Sequence, residues 1–188
     1  MWGSSGVRSR VRATLTRLMD TQPTETWGLE IAKEYFKFSS AHFLIFPDGT
    51  TERLHGHNYR VSVDLEAALG EHGLVIDFLM VKPIVRAMCD ELDEHWLVPG
   101  EHQELTYEAQ DDGHTRVQYR ELRYLAPTGD ILVLPINNTS SENLATWFGH
   151  ELKRRLAESF PDIAVDMLRV SVEETSGQRG VWRFQRRG

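Results

Sequence analysis

The segment from His55 to Leu65 alternates strictly, and that alternation leaves little choice of local structure. Successive side chains of a strand point to opposite faces. His55, His57, Tyr59, Val61, Val63 and Leu65 therefore share one face, and Asn58, Arg60, Ser62 and Asp64 share the other. An apolar face opposite a polar one marks a half-buried antiparallel strand. The preceding strand pattern begins at Leu29 and places Phe36, Phe38, Ser40 and His42 on a single face. "FPDGTT" separates the two as a turn or short loop, so an antiparallel pairing can bring His42 beside His55 and His57.

Beyond this hairpin the pattern changes. "GEHG" breaks the chain and Asp77 is placed to cap a helix. In that helix Val81, Ile84, Val85, Met88, Cys89 and Leu92 recur at helical spacing, with Pro83 near the first turn. Residues 100–137 read as a β-rich insertion, with the runs "ELTYEA", "RVQYRELRYL" and "ILVLPI". A second helix follows "TSSE"; Thr139 and Glu142 have the spacing of a capping box, and Leu144, Phe148, Leu152 and Leu156 form its apolar stripe. Two closing strands, "MLRVSVEE" and "GVWRFQ", flank a hairpin loop. Two strands, a helix, a β-rich insertion, a helix and two strands predict an α+β fold with helices covering one face of an antiparallel sheet. Residues 1–28 read as an N-terminal extension with a short amphipathic helix carrying Arg8, Arg10, Arg12 and Arg17, and 29–188 as a single domain.

Composition narrows the function classes. A formal net charge of −7 argues against a general nucleic-acid surface. Cys89 is the one cysteine, which excludes an intramolecular disulfide and favours a reducing compartment. No apolar run approaches the ~20 residues that span a bilayer, and the N-terminus lacks the apolar centre of a secretory signal. A soluble, cytoplasmic protein is expected.

Three imidazoles converging from two strands suit a metal. Three neutral histidines with one open position is an arrangement used for catalytic Zn²⁺, at Zn–N distances of ~2.0–2.1 Å. The alternative, a polar His-x-His pair on a strand, is weakened by His42 on the matching face. Glu174 continues the apolar row of Leu168, Val170 and Val172, while Glu173 points away. A carboxylate there either reaches solvent at the sheet edge or anchors a ligand with an amidine-like pair of N–H groups. Glu142 has the capping role as its default. Asp93, Glu94 and His95 close the first helix, either as a solvated end or as an acid–histidine pair for proton transfer.

Together the segments "FKFSSAHFL", "LHGHNYRVSVDLEA", "GLVIDFLMVK", "LDEHWL", "SSENLATW" and "VSVEETSG" resemble the 6-pyruvoyl-tetrahydropterin synthase family, which includes the 6-carboxy-tetrahydropterin synthases. The resemblance implies the tunnelling fold, a four-stranded antiparallel sheet with two helices on one face. It also implies a homo-oligomer, commonly a hexamer, with active sites between subunits. It implies zinc on His42, His55 and His57, a pterin-anchoring Glu174, and helix-start contacts to substrate from Ser140, Ser141 and Glu142. Thr51 stands where most members carry a catalytic cysteine, and a threonine hydroxyl is too weak an acid to replace a thiol unaided. Glu52 instead yields Glu-x-x-His-Gly-His, which resembles a branch in which glutamate takes the cysteine's part. Asp93 matches the family's aspartate, but Glu94 stands at its histidine position, with His95 one residue late.

The expectation is thus a zinc-dependent lyase. It would act on the C6 side chain of 7,8-dihydroneopterin triphosphate or a related reduced pterin, giving 6-hydroxymethyl-7,8-dihydropterin, with Glu52, Asp93 and His95 moving protons. Two alternatives stand beside it. One is conventional 6-pyruvoyl- or 6-carboxy-tetrahydropterin synthesis. The other is a zinc- and pterin-binding protein without catalysis, because Thr51 and Glu94 alter both usual proton-transfer positions.

Overall fold

The computed structural model describes residues 25–187, so the early arginines lie outside the described residues. The chain runs β1 (Trp27–His42), β2 (His55–Ala67), α1 (Phe78–Leu92), β3 (His95–Pro99), β4 (Leu105–Ala109), β5 (His114–Tyr119), β6 (Leu122–Pro127), β7 (Ile131–Leu134), α2 (Ser141–Ser159), β8 (Val165–Thr175) and β9 (Gln178–Gln185).

β1 and β2 pair antiparallel, with His42 opposite His55, Ser40 opposite His57 and Phe38 opposite Tyr59. The register slips between Ala32 and Lys37. That irregularity inverts the inward parity: Ile31 is buried before it, and Phe36, Phe38, Ser40 and His42 are buried after it. β2 pairs with β8, and β8 with β9, both antiparallel. The expected four-stranded antiparallel sheet is therefore β1–β2–β8–β9. Two short strands extend it on the β1 side, where β3 pairs parallel with β1 and β7 parallel with β3.

Helices α1 and α2 cover one face. Val81, Val85, Met88, Cys89 and Leu92 of α1, with Leu144, Phe148, Leu152 and Leu156 of α2, are buried against Phe36, Phe38, Tyr59, Val61, Val63, Leu168 and Val170. Each fully buried side chain of this size contributes about 1.5–3 kcal/mol over its exposed state. Burial also pushes the Cys89 thiol up to about 12, which makes it a small hydrophobe and a poor nucleophile.

β4, β5 and β6 form a separate antiparallel sheet within the insertion. Its core joins Leu105, Val117 and Tyr119 to Phe43, Ile45, Trp96 and Val98. Leu97 belongs to the helix-facing core, whereas its β3 neighbours Trp96 and Val98 belong to this second one. By alternation, the insertion packs on the face of β3 turned away from the helices.

Two local expectations are corrected. Of the residues "DEH", expected to close the first helix, His95 belongs instead to the next strand. Asp93 caps the helix in extended conformation, Glu94 turns with φ 59, and His95 opens β3. Contacts with β1 cause the turn: the Asp93 carboxylate accepts the Ser39 N–H at 2.6 Å, and Glu94 N–H donates to Ser39 O at 2.7 Å. The second helix is capped by Ser140, whose hydroxyl accepts the Asn143 N–H at 3.3 Å; Thr139 and Glu142 form no capping box. Thr139 is instead wholly buried, and its hydroxyl donates to Phe43 O at 3.0 Å.

Candidate metal centre

The β1–β2 register sets the site. His42 ends β1 directly opposite His55 at the start of β2, and His57 lies two residues further along the same face. One ring nitrogen from each of the three histidines lies within 4.8 Å of the others. His42 is fully buried, His57 half-buried and His55 the most exposed.

The surroundings fix which nitrogen faces inward. His42 Nδ1 lies 3.0 Å from Thr139 O, and His55 Nδ1 lies 2.7 Å from Arg53 O. A carbonyl accepts only, so each Nδ1 carries a proton, and in the neutral ring the remaining lone pair is on Nε2. His42 Nε2 is buried and has no hydrogen-bond partner. It nevertheless sits 3.2 Å from Glu174 Oε1, which is also 3.7 Å from His57 Nε2. Burial holds the His42 pKa below its usual value of 6.5, outweighing the pull of Glu174, so this imidazole is neutral. A neutral nitrogen lone pair facing a carboxylate oxygen in a buried site is unfavourable unless a proton or a metal cation lies among them. The donor set (three imidazoles, two of them held by backbone carbonyls, with a carboxylate beside them) therefore fits a divalent metal.

Two carboxylates flank the histidines. Glu174 Oε1 accepts the Tyr59 hydroxyl at 3.2 Å. Burial, and then the Glu174 charge, push the Tyr59 pKa upward, so the phenol remains a donor. Glu52 approaches from the β1–β2 loop, with Oε2 3.9 Å from His55 Nε2. The Leu44 N–H donates to that same oxygen at 3.3 Å, and Glu52 N–H donates to Leu44 O at 3.0 Å.

The structure thus brings His42, His55, His57, Glu174 and Glu52 together. Asp93 and His95 do not form a side-chain pair. The Asp93 carboxylate is engaged by Ser39 N–H, and His95 Nδ1 lies 2.7 Å from the backbone oxygen of Asp93. In the neutral ring that leaves Nε2 as the acceptor, and the His95 ring lines a cavity of about 510 Å³ together with His57, Leu54 and Trp96. Ser140 is used as the helix cap and Glu142 is exposed at the first turn of α2. Gly180 on β9 packs so closely on this turn that a Cβ there would overlap the Ser141 backbone.

Three further residues serve the site: Tyr59, Thr139 (expected only as a helix cap) and Asn138. Tyr59 shares the histidines' strand face, a signal that was available. Thr139 holds His42. Asn138 Oδ1 accepts both Ile45 N–H (3.2 Å) and Thr139 N–H (3.0 Å), and its Nδ2 donates to Ile45 O at 2.8 Å.

The lowered His42 pKa has a consequence for the metal-free protein. The unfolded chain binds a proton near pH 6.5 that the folded chain resists. Stability is therefore complete above that pH and declines as pH falls through the folded value. Urea unfolding with a chelator present should show a lower midpoint at pH 5.5 than at pH 7.5, and the His42→Gln variant should show a smaller difference. An equal difference in the variant would remove His42 as the cause.

A sequence profile described as 6-pyruvoyl tetrahydropterin synthase matches residues 30–183. The chain belongs to the 6-pyruvoyl tetrahydropterin synthase family. Within it, a Methanocaldococcus jannaschii protein carrying the provisional name 6-carboxy-5,6,7,8-tetrahydropterin synthase is 36% identical over 149 residues, 78% of this chain and 89% of its own. The Plasmodium vivax 6-pyruvoyl tetrahydropterin synthase structure superposes with a TM-score of 0.77 at 27% identity, covering 86% of this chain and 99% of that one. The same enzyme with a catalytic glutamate replaced by alanine gives 0.76 at the same identity and the same coverage. This family resemblance agrees with the tunnelling-fold architecture described above. No helix among the described residues is long and apolar enough to cross a membrane.

Proposed function

We propose that this chain is a zinc-dependent lyase acting on the C6 side chain of 7,8-dihydroneopterin triphosphate or a related reduced pterin, with 6-hydroxymethyl-7,8-dihydropterin as product. The observation that carries the reading is the buried, unpartnered Nε2 of His42, converging with two further imidazoles between Glu174 and Glu52. Zinc held by His42, His55 and His57 would supply Lewis-acid polarisation of the side-chain oxygens.

The chain's own groups divide the remaining work. Glu174, oriented by the Tyr59 hydroxyl, accepts the adjacent N–H groups of the pterin ring and so fixes which carbon meets the site. Ser140, Ser141 and Glu142 contact the ring from the start of α2. Glu52 transfers the proton through Oε1, since its Oε2 is occupied by Leu44 N–H. Support for Glu52 comes from its place beside His55 and from the Plasmodium vivax enzyme, in which a glutamate is catalytic. His95 Nε2 passes protons at the far side of the cavity it shares with His57, and Asp93 holds the turn that presents it. The reading includes a homo-oligomer of the family type, a hexamer, with sites shared between subunits. Residues 29–188 act as the catalytic domain, residues 1–28 as an extension, and the location is cytoplasmic.

A second reading, 6-carboxy-tetrahydropterin synthesis, is favoured by the names of the relatives, including the Methanocaldococcus jannaschii protein. Incubation with 7,8-dihydroneopterin triphosphate and mass spectrometry of the product separates the two. Hydroxymethyl-dihydropterin is the expected product. A carboxy- or pyruvoyl-tetrahydropterin would replace the first reading with the second, and recovery of intact substrate would leave a zinc- and pterin-binding protein.

A further inference from the structure

We infer that the β4–β6 insertion is a latch that positions Glu52, with Tyr119 and Arg120 as the positioning residues; the inference rests on Glu52 as the proton-transfer group. The loop between β1 and β2 carries Glu52 just past its tip. It is closed on itself by Phe46 N–H to Thr50 O (2.8 Å), by Gly49 N–H to Phe46 O (2.8 Å) and by the bridge between Ile45 and Thr51. These bonds, with those between Glu52 and Leu44, shape the loop internally but do not by themselves fix its tip against the rest of the fold. It is gripped from two sides. On one side Asn138 takes both backbone groups of Ile45, and by bonding Thr139 it joins the loop to the His42 support. On the other, the Tyr119 hydroxyl and the Arg120 guanidinium both donate to Gly49 O, each at 3.2 Å.

The second grip is built for its place. Tyr119 ends β5 with its ring buried in the insertion's own core, so its hydroxyl is delivered from a rigid strand. Arg120 adopts a left-handed backbone (φ 51), uncommon for a non-glycine residue, in the turn from β5 to β6. Its side chain is oriented by Glu104, which accepts from Nε at 2.8 Å and from Nη2 at 3.3 Å. Gly49 answers it: φ is +82, and a Cβ there would overlap the guanidinium. Two donors on one carbonyl, an oriented arginine and a glycine cleared for it make a docked contact. From Gly49 O the chain needs only three residues to reach Glu52, whose side chain and amide are both bonded to Leu44. The insertion thereby sets the distance between Glu52 and His55.

The test uses the full-length zinc-loaded enzyme, with Tyr119→Phe and Arg120→Ala made separately. Tyr119→Phe keeps the buried ring and so tests the latch even if Arg120→Ala folds poorly. Each variant should lower kcat about 10-fold with KM within about twofold, because a misplaced catalytic group costs rate rather than binding. Zinc content should be unchanged, and hydrogen exchange at the Glu52 amide should accelerate. Arg120→Ala added to Glu52→Gln should lower kcat no further. Unchanged kcat and unchanged exchange in both variants would overturn the latch, as would an Arg120→Ala loss that persists in full on the Glu52→Gln background. Full turnover by Glu52→Gln alone would instead remove the premise about Glu52, while amide exchange would still decide whether the latch holds the loop.

Discussion

Zinc content is expected to fall from about one ion per chain to nearly none in His55→Ala and in His42→Ala alike, with turnover lost in both. A three-histidine site that loses one ligand keeps too few donors to hold a catalytic ion against buffer and water. The two variants should nevertheless differ in stability, since their surroundings differ. His55 has a side chain about 38% exposed, and its removal opens no cavity. His42 is fully buried, and its loss leaves a void and an unpaired Thr139 carbonyl. An unsatisfied buried acceptor costs about 1–3 kcal/mol, and the cavity adds to that. Urea unfolding in chelator should therefore show His55→Ala close to wild type and His42→Ala clearly weaker. Metal saturation should stabilise wild type by about 4 kcal/mol at a thousandfold excess over Kd, and His55→Ala not at all. Tag-free wild type that neither contains zinc nor gains stability from it would end the metal reading.

Much of this centre was legible because a strand has a period of two. Once His55, His57 and Tyr59 were on one face, and His42 on the matching face of the neighbouring strand, only the register remained open. The register that formed puts His42 opposite His55. Glu174 followed from the same alternation on β8, with its side chain aimed at His42 while Glu173 bonds Arg179 at 3.0 Å on the other side. Illegible features were those decided by contacts distant in sequence. Thr139 and Ser140 are both good caps. Only the pull of Phe43 O on the Thr139 hydroxyl, 96 residues away, leaves the capping to Ser140. β3 is five residues long and becomes a strand because β1 offers it an edge. Nothing local in "HWLVP" distinguishes that outcome from a loop. The grip of Arg120 on Gly49 spans 71 residues and carries no local pattern at all.

Glu52→Gln is expected to lower kcat roughly 100- to 10,000-fold, the usual contribution of a positioned acid or base. Glutamine keeps the size of the side chain and an oxygen able to accept from Leu44 N–H, so the loop should keep its place. What it loses is the capacity to take and return a proton. Zinc content should remain at about one per chain, because Glu52 lies 3.9 Å from His55 Nε2 and outside the three-histidine set. KM should change little, since the ring contacts proposed for Glu174 and the α2 start are untouched. A large rise in KM with kcat preserved would make Glu52 a substrate contact. Turnover unchanged in both parameters would remove it from the chemistry and return attention to Thr51 and His95. The conservative Glu52→Asp variant adds a geometric check. It keeps the carboxylate but withdraws it by one methylene, so it should recover part of the lost rate if proton transfer is the role and reach is what limits it. The same partial recovery should disappear when Arg120→Ala loosens the loop, because a shorter acid then depends wholly on where Gly49 is held.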